Sequence, residues 1–267
     1  MHWTTAVAAT EVLLINLTGN INMDSYKDFA YLYDMLTQDV EYEKRADYIE
    51  NLMSLHMPHK PELVADIGCG TGTLCNIFSQ RGYDMIGIDS SDSMLNVARG
   101  KTEDSSILYI NQDMTEFELY GTVDVILSLL DSVNYLTEDG DIEKFFALAN
   151  NYLNPDGLLI FDINTPYKFE NILADNVYNY EDDKIFYSWE NCFDGEICEF
   201  YLNFFVEDAD GRYTRITEQH FERCYTVDDI KDALTTSGME LLAIYGDLSL
   251  QMPKNDEQRI FFVAKKH

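Results

Sequence analysis

Val64-Ala65-Asp66-Ile67-Gly68-Cys69-Gly70-Thr71-Gly72 decides how this chain folds. Residues 63–67 are an apolar run broken only by Asp66, the pattern of a strand buried on both faces, and they lead into three glycines at alternate positions. Glycine lets the backbone turn sharply and leaves no Cβ between the main chain and a ligand. The amphipathic stretch that follows to Gln80, ended by Gly82, supplies the orphan amides of a helix start. Such a turn can serve any nucleotide. A dinucleotide fingerprint, however, needs Gly-x-Gly-x-x-Gly, and here the third glycine comes one residue early while position 73 is Thr. Asp66 also points away from a pyrophosphate. A carboxylate at a strand's carboxyl end can accept from loop amides or from the ammonium of a zwitterionic amino-acid moiety.

Downstream, strands and helices alternate: strand 85–88, helix 92–98, strands 107–110 and 123–127, helix 141–153 and strand 157–163. Alternation of this kind predicts a parallel sheet covered by helices on both faces. Two more carboxylates fall at strand ends. Asp89 comes 17 residues after Gly72, where an acidic side chain can hold both hydroxyls of a ribose. Asn111-Gln112-Asp113-Met114 follows the third strand, where a carboxylate can accept from an exocyclic adenine amine while a methionine packs on the ring. Each element alone is a weak signal, but the three in order at successive strand ends are a strong one.

With these residues the chain resembles the class I S-adenosylmethionine-dependent methyltransferases over residues 63–165. The resemblance implies an α/β fold: a doubly wound, seven-stranded, mostly parallel sheet of order 3-2-1-4-5-7-6, with an antiparallel β insertion. It also implies that Asp66, Gly68 and Gly70 wrap the methionine part of S-adenosyl-L-methionine. By the same resemblance Asp89, followed by Ser90 and Met94, binds the ribose side, Asp113 and Met114 frame the adenine, and Leu129 with Leu130 line the sulfonium. The layout is similar to glycine and aminosugar N-methyltransferases, in which a lid tyrosine and an arginine reach the cofactor's carboxylate; Tyr26 or Tyr33 with Arg45 are the counterparts here. Each of these has a structural rival. Tyr26 and Tyr33 share a helix face with Phe29 and Ala30, Arg45 can pair with Glu41, and Asp113 can cap the turn after it.

Four regions follow. Residues 1–22 read as an N-terminal extension dispensable for folding and ligand binding, and 23–60 as a helical lid with a second helix over 42–55. Residues 61–166 and 226–267 form the cofactor-binding core, closed by a helix over 227–236 and strands 241–245 and 259–264. Residues 167–225 are the insertion, with strands 184–193, 197–207 and 212–223 separated by Asp194-Gly195 and Asp210-Gly211, both hairpin signals.

The chain carries 48 acidic against 18 basic residues, a formal net charge of -30. A surface this anionic repels nucleic-acid backbones and anionic lipid over a Debye length of about 8 Å, so neither is expected as a partner. The Asn/Asp-Pro-Pro-Tyr/Phe motif of DNA amino-methyltransferases is absent. Five cysteines, an odd number without metal spacing, predict reduced thiols in a cytoplasm. Asp131, Asp162 and Asn164 lack the adjacent Asp-Asn pair of a catechol-type magnesium site, and no metal is expected. The expected activity is methyl transfer to nitrogen or oxygen of a small molecule. The alternatives are an NAD(P)-dependent oxidoreductase and a non-catalytic S-adenosylmethionine-binding regulator. Residues 167–225 hold 14 acidic and 5 basic residues, a net -9 that favours an amine-bearing acceptor. His220, on one strand face with Glu218, and Asp131 are the candidate catalytic residues, with Trp189 or Tyr201 as a pocket wall. Oligomeric state is not assigned.

Overall fold

A run of apolar residues with side chains on alternate sides can be buried only if both sides are covered, and that condition shapes the core. A computed structural model describes residues 29–37, 40–102, 106–182 and 184–266. The chain begins there with helices α1 (Phe29–Leu36) and α2 (Tyr42–His56), then enters β1 (Leu63–Ile67), α3 (Thr73–Gln80), β2 (Asp84–Asp89), α4 (Asp92–Lys101) and β3 (Leu108–Asn111). Strand β4 (Val123–Ser128), α5 (Asp141–Tyr152) and β5 (Leu153–Asn164) follow. Residues 1–22 and Tyr26 lie outside the described residues.

After β5, Thr165 caps a short turn of helix, α6 (Pro166–Lys168), by accepting from Lys168 N, with Pro166 at the first helical position. The insertion then folds as β6 (Val177–Glu181), β7 (Ile185–Phe193), β8 (Ile197–Glu207) and β9 (Tyr213–Arg223), an antiparallel sheet in sequential order. The first hairpin turns on Asp194-Gly195 as expected, with Asp194 Oδ1 accepting from the amides of Glu196 and Ile197 at 2.8 and 2.7 Å. In the second turn Asp208 plays that part, taking the amides of Asp210 and Arg212 at 3.0 and 2.9 Å. Strand β6 was not expected from the sequence. It is a short edge strand whose side chains alternate between exposed and half-buried, so it has no apolar run to announce it.

The chain returns through α7 (Val227–Thr236), β10 (Met239–Gly246) and β11 (Arg259–Lys266). The large sheet has the order β3-β2-β1-β4-β5-β11-β10, with β11 antiparallel to both neighbours and the rest parallel. This is the seven-stranded topology that the resemblance implies. Val64, Val125, Leu127, Leu158, Ile160 and Val263 pack on one face beneath α2, α3 and α4, while Ala65, Ile126, Phe161, Ile163 and Phe262 pack on the other beneath α5 and α7. Strand order reverses between β1 and β4, and the crevice at their carboxyl ends is where a ligand of such a sheet binds. No helix among the described residues is long and apolar enough to cross a membrane.

Helix α1 lies over that crevice and is tied down to both sides of it. Leu32 is buried against Phe204, Val206 and Ile216 of the insertion. Two residues on, Asp34 accepts from Thr71 Oγ1 of the glycine turn at 2.6 Å and pairs with Lys101 of α4. A charge-assisted hydrogen bond and a half-exposed ion pair together hold the helix by about 1–2 kcal/mol. Asp34→Ala is therefore expected to speed amide hydrogen exchange in residues 29–36 by about tenfold, with β1 and β4 unchanged. Unaltered exchange in α1 would show that the packing of Leu32 alone holds it.

Candidate active site

The glycine turn is held by its neighbours before any ligand arrives. Gly68 N and Cys69 N both donate to Ile88 O, at 2.8 and 3.0 Å, pinning the end of β1 to the end of β2. Gly68 has φ +80°, and a Cβ there would lie 2.7 Å from Ser132 Oγ, so only glycine fits. Gly70 (φ +53°) differs: a Cβ on it would meet nothing within 4 Å, because it faces an open cleft. Asp89 accepts from Gly70 N through Oδ2 and from Ser91 N through Oδ1, each at 2.8 Å, and so fixes the turn as well as standing at its mouth. Burial raises the pKa of Asp89 while these two amides oppose the rise.

Asp66 lies in the wall of the cleft with 3% of its surface exposed. Its one hydrogen bond among the described residues comes from the Cys75 thiol at 3.4 Å, and it has no cationic partner among them. Burial pushes its pKa up to about 7, against the hydrogen bond from Cys75 and with help from the charge of Asp89. A buried carboxyl without a cation, beside a glycine with no side chain in the way, fits the amino-acid end of S-adenosylmethionine.

The opposite wall is the turn after β4. Leu130 and Asp131 adopt φ +57° and +59°, a region that non-glycine residues enter only when their surroundings enforce it. Asp162, at the end of β5, does so: its two carboxylate oxygens accept from Leu130 N and Asp131 N, each at 2.8 Å. Arg259 of β11 then pairs with both Asp162 and Asp131. Burial works against the charge of Arg259, but the two carboxylates outweigh it and hold the guanidinium protonated. Leu129 and Leu130 are thereby presented to the cleft. Asp131, read from sequence as a candidate catalytic residue, has its carboxylate in this ion pair and helps to hold the turn.

The other expected residues are placed as follows. Tyr33 reaches the cleft from α1, and Tyr42 from the start of α2. Arg45 does not line it: the guanidinium bonds Asp247 at 3.0 and 3.5 Å and Val40 O at 3.1 Å. The alternative Arg45–Glu41 pair does not form either, and Glu41 pairs with Lys44. Asp113 Oδ1 accepts from Thr115 N and Oγ1 at 2.7 and 2.6 Å, so it caps its own turn. Met114 Cε lies 3.7 Å from where a Cβ on Gly68 would be, next to the glycine turn. Ser90 is exposed beside Asp89, and half-buried Met94 sits in the first turn of α4, its amide capped by Ser91 Oγ at 3.3 Å.

On β9, Glu218 and His220 share a face, as expected, but Tyr201 does not join them; it pairs in register with Gln219 on the solvent side, 38% exposed. Trp189 does stand on the inner side, in one row with Leu202 and Glu218. The His220 ring meets that of Tyr135 edge-on at 5.9 Å between centroids, and burial lowers its pKa, which keeps the imidazole neutral at pH 7. Sequence reasoning missed Tyr135, Lys168, Glu222 and Arg259. For Glu222 a signal existed, since the two-residue period through Glu218 and His220 continues to it.

Comparisons with known proteins agree with this geometry. Residues 64–157 match the model of a methyltransferase domain. A Geobacillus sp. (strain WCH70) protein named as a methyltransferase is 33% identical over 91% of this chain and 100% of its own. A dTDP-3-amino-3,4,6-trideoxy-alpha-D-glucopyranose N,N-dimethyltransferase of Streptomyces venezuelae is 29% identical over 55% of this chain and 61% of its own. Among solved structures, an S-adenosylmethionine-dependent methyltransferase from Clostridium acetobutylicum superposes with a TM-score of 0.82 at 32% identity, covering 89% of this chain and 97% of that one. Streptomyces venezuelae DesVI shares the fold at a TM-score of 0.74 and 21% identity, over 90% of this chain and 99% of that one. A near-full-length relative, a closely superposing solved structure and the seven-stranded order together place the chain in the class I S-adenosylmethionine-dependent methyltransferases.

Proposed function

We propose that this methyltransferase acts on a small molecule, at nitrogen or oxygen, in a chamber between the glycine turn and the insertion sheet. The observation that carries the reading is the double cover. Helix α1 lies over the crevice and is fastened to both the glycine turn and the insertion, a cover that favours a small acceptor over a polymer. The aminosugar dimethyltransferase among the relatives supports an acceptor of that size. The free thiols support a cytoplasmic setting.

S-Adenosylmethionine supplies an electrophilic methyl group on a sulfonium. The work of the chain is orientation and exclusion of water. Asp66 and Gly70 would receive the amino-acid end, Asp89 the ribose, Met114 and Asp113 the adenine side, and Leu129 and Leu130 the apolar surroundings of the sulfur. Tyr33 closes the chamber from above. Arg45, bound to Asp247, is left with a role in fastening α2. An oxidoreductase reading is overturned by the family, and a non-catalytic one has no support from the relatives.

Incubation of a metabolite extract with the enzyme and methyl-labelled S-adenosylmethionine should place label in the small-molecule fraction. Label confined to RNA or protein would contradict the reading.

The buried carboxyl of Asp66 adds a pH signature. Its proton is held up to about pH 7 in the free enzyme, whereas an adjacent ammonium favours the carboxylate. Binding must then release that proton below pH 7, so cofactor affinity should fall by up to about tenfold per unit as pH drops below 7. Calorimetry in two buffers of different ionisation enthalpy should show proton release at pH 6. Asp66→Asn should abolish it, and an unchanged proton count in that variant would place the proton elsewhere.

A further inference from the structure

Glu222, at the end of β9, and Lys168, in the helical turn after β5, are an acid and a base of opposite charge brought together and yet not paired. Lys168 Nζ donates to Asn164 Oδ1 at 2.9 Å, and Asn164 Nδ2 donates to Glu222 Oε2 at 2.8 Å, so a side-chain amide stands between them. Asn164 is itself fixed, since its backbone amide donates to Asn134 Oδ1 at 2.9 Å. Glu222 is only 4% exposed, and its Oε1 makes no hydrogen bond among the described residues. The ammonium of Lys168 likewise spends one of its three donors. The nearby Arg259 is taken up by Asp131 and Asp162.

An acid and a base this close usually collapse into an ion pair, because leaving each alone in a low dielectric is costly. Here burial, followed by the charge of Asp131, raises the pKa of Glu222, and burial, followed by Arg259, lowers that of Lys168. Both groups retain unspent hydrogen-bonding capacity on either side of Asn164. The hydroxyl of Tyr135 has Glu222, Asp131, Tyr33 and Asp89 as its electrostatic neighbours, and 47% of the residue's surface is accessible. Tyr33 has Asp131, Arg259 and Asp89 around it from the lid side. One residue, Tyr135, thus neighbours both Asp89, at the donor end, and Glu222.

We propose that Glu222, Asn164 and Lys168 form a two-point subsite for the methyl acceptor, which takes an amine against Glu222 and an oxygen on the neighbouring carbon, hydroxyl or carboxylate, against Lys168. The inference rests on the small-molecule reading above and names the class of molecule. An amine brings Glu222 a cation in direct contact, which Lys168, held off by Asn164, does not supply, and the adjacent oxygen brings Lys168 an acceptor. A diol or a monohydroxy acid leaves Glu222 unmatched.

The test is binding, with no turnover required. The complex with S-adenosylhomocysteine is titrated at pH 7 with glucosamine (amine beside hydroxyl), glycine (amine beside carboxylate), and the amine-free counterparts glucose and glycolate. At least one of the two amines is expected to bind tenfold or more tightly than its counterpart, and which one it is tells an aminosugar-type from an amino-acid-type acceptor. Glu222→Gln, which keeps the bond to Asn164, should erase the preference, and Lys168→Met should weaken amine binding without removing it. Equal affinities, a preference that survives Glu222→Gln, or no binding of either amine at millimolar concentration would overturn the proposal. S-Adenosylhomocysteine binding is read in every sample. Its loss in the unaltered enzyme would bring down the methyltransferase site itself, whereas its retention without an amine preference would bring down only the subsite.

Discussion

The ionic cluster of Arg259, Asp162 and Asp131 is the constraint on which the site depends. Three separate segments meet in it: the first residue of β11, the carboxyl end of β5 and the turn after β4. Asp162 has no exposed surface and spends both oxygens on the amides that force Leu130 and Asp131 into left-handed backbone. Removing one member of a buried ionic group leaves the other unmatched and costs about 3–5 kcal/mol. The cluster contributes less to net stability than to shape. It fixes the wall that faces the glycine turn, and with it the width of the chamber.

The facing wall shows the same economy of parts. Asp89 is both a ligand-ready carboxylate and the acceptor that holds Gly70 and Ser91. Gly68 is required by Ser132 at its back, whereas Gly70 is required by what must approach its front. Asp34 then ties the lid to Thr71 within the same turn. Glycine turn and insertion are thus joined through α1.

Much of this was legible in the sequence, for physical reasons. Strands buried on both faces write near-continuous apolar runs, so β1, β2, β4 and β5 and their alternation with helices could be read directly, and the glycine turn and Asp89 fell at their ends. The resemblance built on those residues supplied the strand order. Edge strand β6, with one side in water, wrote no such run. Arg45 shows a different limit: its helix could be foreseen, but its partner Asp247 is 202 residues away, and no local pattern reveals a pairing of that range. Arg259 was hidden for the same reason. Glu222 was within reach, because only its period-two kinship with His220 was needed; attention to the titration range of histidine drew the reading to the neighbour. Tyr201 failed the same rule, since its register sets it on the outer face. The net charge of -30 also looks different on the structure, where carboxyls are buried at Asp66 and Glu222 as well as spread over the surface.

The central claim is that the crevice between β1 and β4 is a binding site for S-adenosylmethionine, and titration calorimetry addresses it most directly. The expected result is one-to-one binding of S-adenosylmethionine and S-adenosylhomocysteine with no binding of NADH, and a loss of about 1–3 kcal/mol in Asp89→Ala as charged hydrogen bonds to ribose disappear. Binding of NADH without binding of S-adenosylmethionine would contradict it.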